Sequence, residues 1–197
     1  MNVPNKITLC RIVLSVVLLV LMIFPINRLG ISFPEIKLAA DFIIDSKLLI
    51  CGVIFVVASL TDFLDGYLAR KYNLVTDMGK IMDAIADKIL VNGVLIIFAV
   101  EGYISVIVPV VIVCRDIAVD SIKMVAGGKS GAVAASKAGK VKTAFMMVGM
   151  SLLFFYDLPL SLINIYPAKV LIMIATVLSV ISGIQYFEKN KKYISTK

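Results

Sequence analysis

Residues 62–87 read DFLDGYLARKYNLVTDMGKIMDAIAD, and the segments on both sides of this stretch are strongly apolar. On a helix, Asp62 and Asp65 fall on one face, within an arc of about 140° that also holds small and basic residues. Asp83 and Asp87 are spaced by four and share one face of the next helix. Acidic side chains among apolar helices are costly, so this cluster indicates a functional site.

The two acidic faces predict a metal site. If they face each other, four carboxylates meet at one place, which is tolerable only when cations neutralise them. Carboxylate oxygens suit hard cations, and a pair of such cations suits a substrate that contains a pyrophosphate. The stretch therefore predicts two divalent ions, Mg²⁺ or Mn²⁺, held by Asp62, Asp65, Asp83 and Asp87. The alternative is a set of salt bridges with Arg70, Lys80 and Lys88.

The spacing D-x2-D-G-x2-A-R-x8-G-x3-D-x3-D matches the signature of the CDP-alcohol phosphatidyltransferase family, which this sequence resembles. The resemblance implies a homodimeric membrane enzyme with six helices and a two-metal site. It also implies that an alcohol displaces CMP from a CDP-linked lipid. By the same resemblance, Asp87 is the base that takes the proton of the alcohol, and Gly66 and Arg70 contact the cytidine nucleotide.

Further residues are candidates for contact with CDP-diacylglycerol. Thr76 stands where it can cap the following helix or donate to the diphosphate. Gly79 leaves space where a ligand or a partner helix can approach the backbone. The N-terminal pattern with Asn5, Thr8 and Arg11 is similar to the start of phosphatidylglycerophosphate-forming family members, although it could equally be a capped helix with an interfacial Arg. The full candidate set for CDP-diacylglycerol is Asp62, Gly66, Arg70, Thr76, Gly79, Asn5 and Thr8.

Basic residues beyond the motif point to the acceptor. Arg115 lies near the end of an apolar span, and Lys137, Lys140 and Lys142 follow in a segment rich in Gly, Ala and Ser that is typical of a loop. An acceptor that carries its own phosphate, such as glycerol 3-phosphate, would need these cations. They could instead be lipid anchors or residues that orient the chain in the membrane.

Two later segments, GKVKT at 139–143 and SGIQYF at 182–187, are similar to the branch of the family that makes phosphatidylglycerophosphate. The chain departs from the usual pattern of that branch at Ala84, Asp116 and Gln185, and no metal ligand is lost. We therefore expect transfer of a phosphatidyl group from CDP-diacylglycerol to sn-glycerol 3-phosphate, with release of CMP.

Two alternatives to this expected reaction stay open. One is a sibling transferase that uses inositol phosphate, serine or phosphatidylglycerol as acceptor. The other is a divalent-metal transporter. The transporter is disfavoured because both acidic faces lie towards one end of their helices, whereas transport sites usually lie near the midplane of the membrane.

Composition places the chain among integral membrane proteins. Its 197 residues are 60% hydrophobic, with a mean hydropathy of +1.01, and suffice for one domain, 1–197, of about six helices. The net charge of +7 lies in gaps between apolar spans, which favours membrane lipids as partners and not nucleic acid. The chain contains no histidine, which excludes an imidazole base and His-ligated zinc. The three cysteines are scattered and predict no disulfide.

The expected fold is an all-α membrane protein, a six-transmembrane-helix bundle with a short amphipathic N-terminal segment. We expect spans at about 12–26, 48–69, 79–100, 103–125, 143–155 and 168–187. The segment 27–47 is expected to be an external loop with a short amphipathic piece. Sixteen of the 20 basic residues lie on the side of the acidic motif and of both termini. The positive-inside rule therefore predicts a multi-pass protein of the cell membrane whose site faces the cytoplasm.

Overall fold

The computed structural model describes residues 3–25, 34–39, 42–72, 76–130, 137–158 and 160–194. Six long helices form most of the described chain, and each of the six predicted apolar segments overlaps one of them. In chain order the elements are α1 (Val3–Ile23), β1 (Glu35–Ala39), β2 (Phe42–Asp45), α2 (Ser46–Lys71), α3 (Asp77–Val100), α4 (Ile107–Ser130), α5 (Lys137–Phe154), a 3₁₀ helix (Leu160–Ile163) and α6 (Pro167–Ile194).

The helices pack in two groups of three. In the first group, α1 contacts both α2 and α3, and in the second, α6 contacts both α4 and α5. An aromatic cluster joins the groups, because Phe154 of α5 packs against Phe55 of α2 and Phe98 of α3, with ring centroids 5.2 and 4.7 Å apart. Such tilted ring pairs stabilise a core beyond their buried area. The cluster thus connects α5 of the second group to α2 and α3 of the first.

Three helical segments are long and apolar enough to cross a membrane by length and composition, namely Asn5–Ile23, Ser46–Tyr67 and Pro167–Lys191. Their outward faces expose large apolar side chains such as Val13 and Met173, as expected of a surface that contacts lipid. Helices α3, α4 and α5 contain more charged residues, most of them at one end. The chain is thus a helical membrane protein in which three of the six expected spans meet this criterion within the described residues.

The start of two helices differs from expectation. In the described chain, which begins at residue 3, α1 runs without a break to Ile23, so the amphipathic start is the first turns of this helix and not a separate segment. Helix α5 begins at Lys137, so the basic segment expected to be a loop is helical instead. Its Ala and Lys residues favour helix, and its packing against α6 outweighs the weak propensity of Gly and Ser.

The segment expected to be an external loop contains a two-stranded antiparallel hairpin. Strands β1 and β2 pair with Glu35 opposite Asp45 and Ile36 opposite Ile44, and a register irregularity follows Lys37. The backbone N–H of Asp45 donates to the hydroxyl of Tyr156 at 3.0 Å, which ties the hairpin to the chain after α5. The expected external loop therefore contains a short hairpin within a predominantly helical chain, and this hairpin lies far along α2 from the acidic motif.

Candidate active site

Three of the four predicted metal ligands come together at one end of the bundle. Asp62 and Asp65 of α2 and Asp83 of α3 each offer one carboxylate oxygen, and these oxygens lie within 4.8 Å of one another. Asp65 is buried, Asp62 is half-buried and Asp83 is exposed. A set of hard oxygen donors this close together fits a divalent cation. Asp87 lies one turn after Asp83 on α3 and lines the same cavity as Asp62 and Asp83.

A buried arginine of α1 holds the acidic cluster together. Arg11 is 1% exposed, and its guanidinium forms ion pairs with both Asp62 and Asp83. Its planar fork of donors suits two carboxylates from different helices. Sequence analysis did not include Arg11 among the site residues. The available signal was its spacing of three from Thr8, which places both side chains on one helix face.

Thr8 and Asn5 extend this polar face of α1. The hydroxyl of Thr8 donates to Oδ2 of Asp65 at 2.9 Å. The amide of Asn5 donates to Oγ1 of Thr76 at 3.2 Å, while Thr76 caps α3 by accepting from the N–H of Gly79 at 3.0 Å. The predicted capping role of Thr76 is confirmed. Helix α1 therefore contacts both halves of the acidic motif.

Gly79 of α3 lies close to the side chain of Asn5 of α1. A Cβ atom at this position would lie 2.7 Å from Oδ1 of Asn5 and 3.0 Å from Oγ1 of Thr76. The space that sequence analysis assigned to a ligand or to a partner helix is thus used by a side chain of α1. Gly66, also predicted in this set, is half-buried beside Asp65 on α2. The side chain of Arg70 lies outside the described residues.

A basic cluster faces the acidic one. Nη1 of Arg115 lies 2.9 Å from Oδ1 of Asp116, and Nζ of Lys142 lies 3.5 Å from the same oxygen. Arg115 also donates through Nε to the carbonyl of Ser179 at 3.2 Å and through Nη2 to Oγ of Ser182 at 2.9 Å. Helices α4, α5 and α6 therefore meet at these two cations, which are held by fixed partners.

A cavity of about 410 Å³ separates the two clusters. Asp62, Asp83 and Asp87 line this cavity, and so do Arg115 and Lys142. Lys88, one of the basic residues that could have neutralised the motif, instead forms an ion pair with Asp120 of α4, and both line the cavity. Of the other predicted acceptor residues, Lys140 is exposed, and the side chain of Lys137 lies outside the described residues.

The arrangement can hold cations and an anion side by side. The carboxylates of the cavity suit metal ions, and its guanidinium and ammonium groups suit a phosphate group. A molecule with several phosphates, or two phosphorylated molecules, could contact bound cations and these basic side chains at the same time. The cavity thus has the chemistry expected of a site that acts on phosphate esters.

Comparisons with known proteins agree with this chemistry. The family model described as CDP-alcohol phosphatidyltransferase matches residues 1–181. A CDP-diacylglycerol–glycerol-3-phosphate 3-phosphatidyltransferase from Bacillus subtilis is 36% identical over 197 residues, which cover 99% of this chain and 98% of the relative. A relative of the same name from Rickettsia felis is 34% identical over 193 residues, covering 98% of this chain and 97% of its own.

The fold also has a counterpart among solved structures. The crystal structure of Mycobacterium tuberculosis phosphatidylinositol phosphate synthase in its apo form superimposes with a TM-score of 0.60, covering 95% of this chain and 88% of the other. At 18% sequence identity, this likeness concerns the fold alone. The extent of the family match and the full-length relatives lead to one conclusion: the chain is a member of the CDP-alcohol phosphatidyltransferase family.

Proposed function

We propose that the protein transfers a phosphatidyl group from CDP-diacylglycerol to sn-glycerol 3-phosphate, forming phosphatidylglycerophosphate and CMP. The observation that carries this proposal is one cavity that is lined by both carboxylates and cations. The full-length relatives from Bacillus subtilis and Rickettsia felis, which are named for this reaction, support the choice of acceptor.

The acidic cluster would hold two divalent cations, Mg²⁺ or Mn²⁺, through Asp62, Asp65, Asp83 and Asp87. Support comes from the oxygens of Asp62, Asp65 and Asp83, which lie within 4.8 Å of one another. When bound, such cations neutralise the charge of a diphosphate group. Arg11 keeps the carboxylates of α2 and α3 close together through its ion pairs with Asp62 and Asp83.

Asp87 acts as the general base in this proposal. It accepts the proton of the acceptor hydroxyl, whose oxygen forms a bond to the β-phosphorus while the bond from that phosphorus to the CMP oxygen breaks. Asp87 lines the cavity together with Arg115 and Lys142, which supports this role. The electron pair of the broken bond leaves with CMP, so the reaction needs no covalent enzyme intermediate.

The CDP-diacylglycerol moiety lies, in this proposal, along the motif of α2 and α3. Asp62, Gly66, Arg70, Thr76 and Gly79 contact its nucleotide and diphosphate. Asn5 and Thr8 contribute from α1, and their hydrogen bonds to Thr76 and Asp65 support a role in shaping this half of the site.

The phosphate of the acceptor binds to Arg115 and Lys142, the two predicted acceptor cations that line the cavity. Lys140, two residues before Lys142 on α5, adds positive potential near the cavity. Lys137, whose side chain lies outside the described residues, is proposed to contribute in the same way. A guanidinium with fixed partners on α6 loses little freedom on binding, which favours a stable contact with phosphate. An acceptor without a phosphate would leave both cations with one shared ion-pair partner among the described residues, the carboxylate of Asp116.

We further propose that all six helices span the cell membrane, that the protein is a homodimer and that the site faces the cytoplasm. The exposed apolar faces of α1, α2 and α6 support insertion in lipid. The basic residues at the site's end of the bundle support the orientation.

Release of CMP by the purified protein tests the proposed reaction. The assay contains CDP-diacylglycerol and Mg²⁺ and compares glycerol 3-phosphate, inositol phosphate, serine and phosphatidylglycerol as acceptors, with Asp87→Asn in parallel. We expect release with glycerol 3-phosphate alone and its loss in Asp87→Asn. Release with another acceptor would contradict the proposed acceptor. Metal uptake into liposomes without CMP release would contradict the proposed enzymatic function and favour a transporter.

A further inference from the structure

A buried tyrosine of α6 lines the same cavity and has no role in the reaction described above. Tyr186 is 4% exposed, and within the described residues its hydroxyl has no hydrogen-bond partner. A buried hydroxyl without a partner is unfavourable, and most such groups in folded proteins are paired. The position of Tyr186 on the wall of a cavity suggests that a bound molecule supplies the missing partner.

The phenol lies close to the cation that we assign to the acceptor phosphate. Tyr186 follows Ser182 by four residues, so both share one face of α6, and Ser182 accepts a hydrogen bond from Arg115 at 2.9 Å. Gly183 permits this arrangement, because a Cβ atom there would lie 3.2 Å from Cγ of Arg115. The side chain of Arg115 therefore lies against α6 within about one turn of Tyr186.

The charges around the phenol favour an anionic ligand that also carries hydroxyl groups. Arg115 and Lys142 share one carboxylate, that of Asp116, so these three residues together carry a net positive charge. The neutral phenol of Tyr186, which lines the same cavity, adds a donor that is directional and carries no charge. This combination suits a small phosphorylated polyol better than a bare inorganic ion, which the two cations alone could bind.

We propose that Tyr186 is an acceptor-binding residue, whose hydroxyl donates a hydrogen bond to an oxygen of the phosphorylated polyol held by Arg115 and Lys142. This inference rests on the proposed function, because it names a contact within the acceptor half of that site. The competing role for Tyr186 is packing between α6 and its neighbours, which the aromatic ring alone would fulfil.

The variant Tyr186→Phe separates these two roles, since it keeps the ring and removes only the hydroxyl. Tyr166→Phe is the matched control, because it makes the same change at an exposed residue before α6. The rate of CMP release is measured at increasing concentrations of glycerol 3-phosphate with CDP-diacylglycerol saturating. It is then measured at increasing concentrations of CDP-diacylglycerol with glycerol 3-phosphate saturating. A second readout is the rise in Tm that glycerol 3-phosphate produces in each purified protein.

We expect the KM for glycerol 3-phosphate to rise about tenfold in Tyr186→Phe, as for loss of a hydrogen bond to a charged group. The KM for CDP-diacylglycerol stays as in the wild type, and the Tm without ligand is equal or higher because the variant removes a buried hydroxyl that has no partner within the described residues. The rise in Tm with glycerol 3-phosphate shrinks. The control stays like the wild type in all four measurements.

An unchanged KM for glycerol 3-phosphate in Tyr186→Phe would overturn this inference and leave the proposed function intact. A lower Tm with equal losses towards both substrates would also overturn it, because it would show a packing role. A wild-type protein that releases CMP only with another acceptor would contradict the proposed function itself, and with it the ligand named here.

Discussion

At the scale of single residues, the acidic cluster depends on one buried cation. Arg11 is paired with Asp62 and Asp83, which come from different helices and would otherwise repel each other. Removing one partner of a buried ion pair is more damaging than replacing the whole pair, because it leaves charges without compensation. The stability of the site and of the contact between α1, α2 and α3 should therefore respond together to changes at Arg11.

We predict that Arg11→Ala lowers the free energy of unfolding by about 2 kcal/mol, a value reduced from that of fully buried pairs because Asp83 is half exposed to solvent. Arg11→Lys keeps the charge but not the planar pair of donors, so it should lower the free energy of unfolding by less than Arg11→Ala does. Denaturant unfolding in detergent measures both. Equal stability of Arg11→Ala and the wild type would show that the ion pairs do not hold these helices together.

The close approach at Gly79 gives a second prediction at this scale. Gly79→Ala places a methyl group against Asn5 and Thr76, and overpacking of this kind costs about 1–3 kcal/mol. Part of this cost should disappear in an Asn5→Ala background, because the nearest atom is then absent. A double-mutant cycle of unfolding free energies measures the coupling. Strictly additive effects would contradict a direct contact between the two positions.

The sequence alone predicted the acidic residues of the site but not their cation. The spacing of Asp62, Asp65 and Asp83 is a local property, since it fixes which face of a helix each residue occupies. The partners of Arg11 depend on how α1 docks, and Asp83 is 72 residues away in the chain. Spacing places a residue on a face, whereas the packing of the bundle decides what that face contacts.

At the scale of elements, α6 is fixed at its start by a residue of the preceding loop. Oδ1 of Asp157 accepts a hydrogen bond from the N–H of Ala168 at 2.8 Å, and the carboxyl is buried. This bond satisfies one of the free N–H groups that every helix has in its first turn. The backbone φ of Asp157 is 56°, a value that Asn and Asp tolerate better than most residues.

We predict that Asp157→Ala lowers the free energy of unfolding by about 1–2 kcal/mol, because the N–H of Ala168 loses its acceptor. Asp157→Asn is the matched control, since it keeps an acceptor oxygen and tolerates the same φ. Thermal unfolding in detergent compares the three proteins. If Asp157→Asn were as unstable as Asp157→Ala, the hydrogen bond would not be the reason for the loss.

The same carboxyl predicts a pH dependence. Burial raises the pKa of Asp157 above its usual value, and the hydrogen bond from Ala168 opposes this shift only in part. Because the folded pKa is the higher one, the contribution of this carboxyl to stability is complete below the unfolded pKa and is lost as pH rises through the folded pKa. With rising pH, the Tm of the wild type should therefore fall relative to the Tm of Asp157→Asn. A difference independent of pH would contradict the raised pKa.

The six long helices could be predicted from sequence, but the start of α5 and the two short strands could not. The six apolar segments specify helices by length and composition. The start of α5 at Lys137 follows from its packing on α6, which a segment rich in Gly and Ser does not reveal. Strands β1 and β2 have five and four residues, too short for a periodic pattern to distinguish them from a loop.

At the scale of the whole molecule, both groups of helices contribute to one cavity. Asp62, Asp83 and Asp87 come from α2 and α3, whereas Arg115 and Lys142 come from α4 and α5, with support from α6 for Arg115. The aromatic contacts of Phe154 connect the two groups. Neither group alone supplies both the predicted metal ligands and the two acceptor cations, so the proposed reaction requires the complete bundle.

Two lysines of α5 test the assignment of the acceptor site. Lys142 is 8% exposed and lines the cavity, whereas Lys140 is exposed. Lys142→Ala should raise the KM for glycerol 3-phosphate at least tenfold, as for loss of a charge-assisted hydrogen bond, while Lys140→Ala changes it by about threefold or less. Steady-state kinetics at low and high salt measure both. Equal effects of the two variants would contradict the assignment of Lys142 to the acceptor site.

The most direct test of the account is the fate of labelled glycerol 3-phosphate. Purified protein is incubated with CDP-diacylglycerol, Mg²⁺ and the labelled acceptor, and both the label in extracted lipid and the CMP released are measured. We predict equal amounts of labelled lipid and CMP, with both lost when a chelator removes Mg²⁺ and in Asp83→Asn. Release of CMP without label in lipid, or equal activity with the chelator, would contradict the proposed transfer at a metal site.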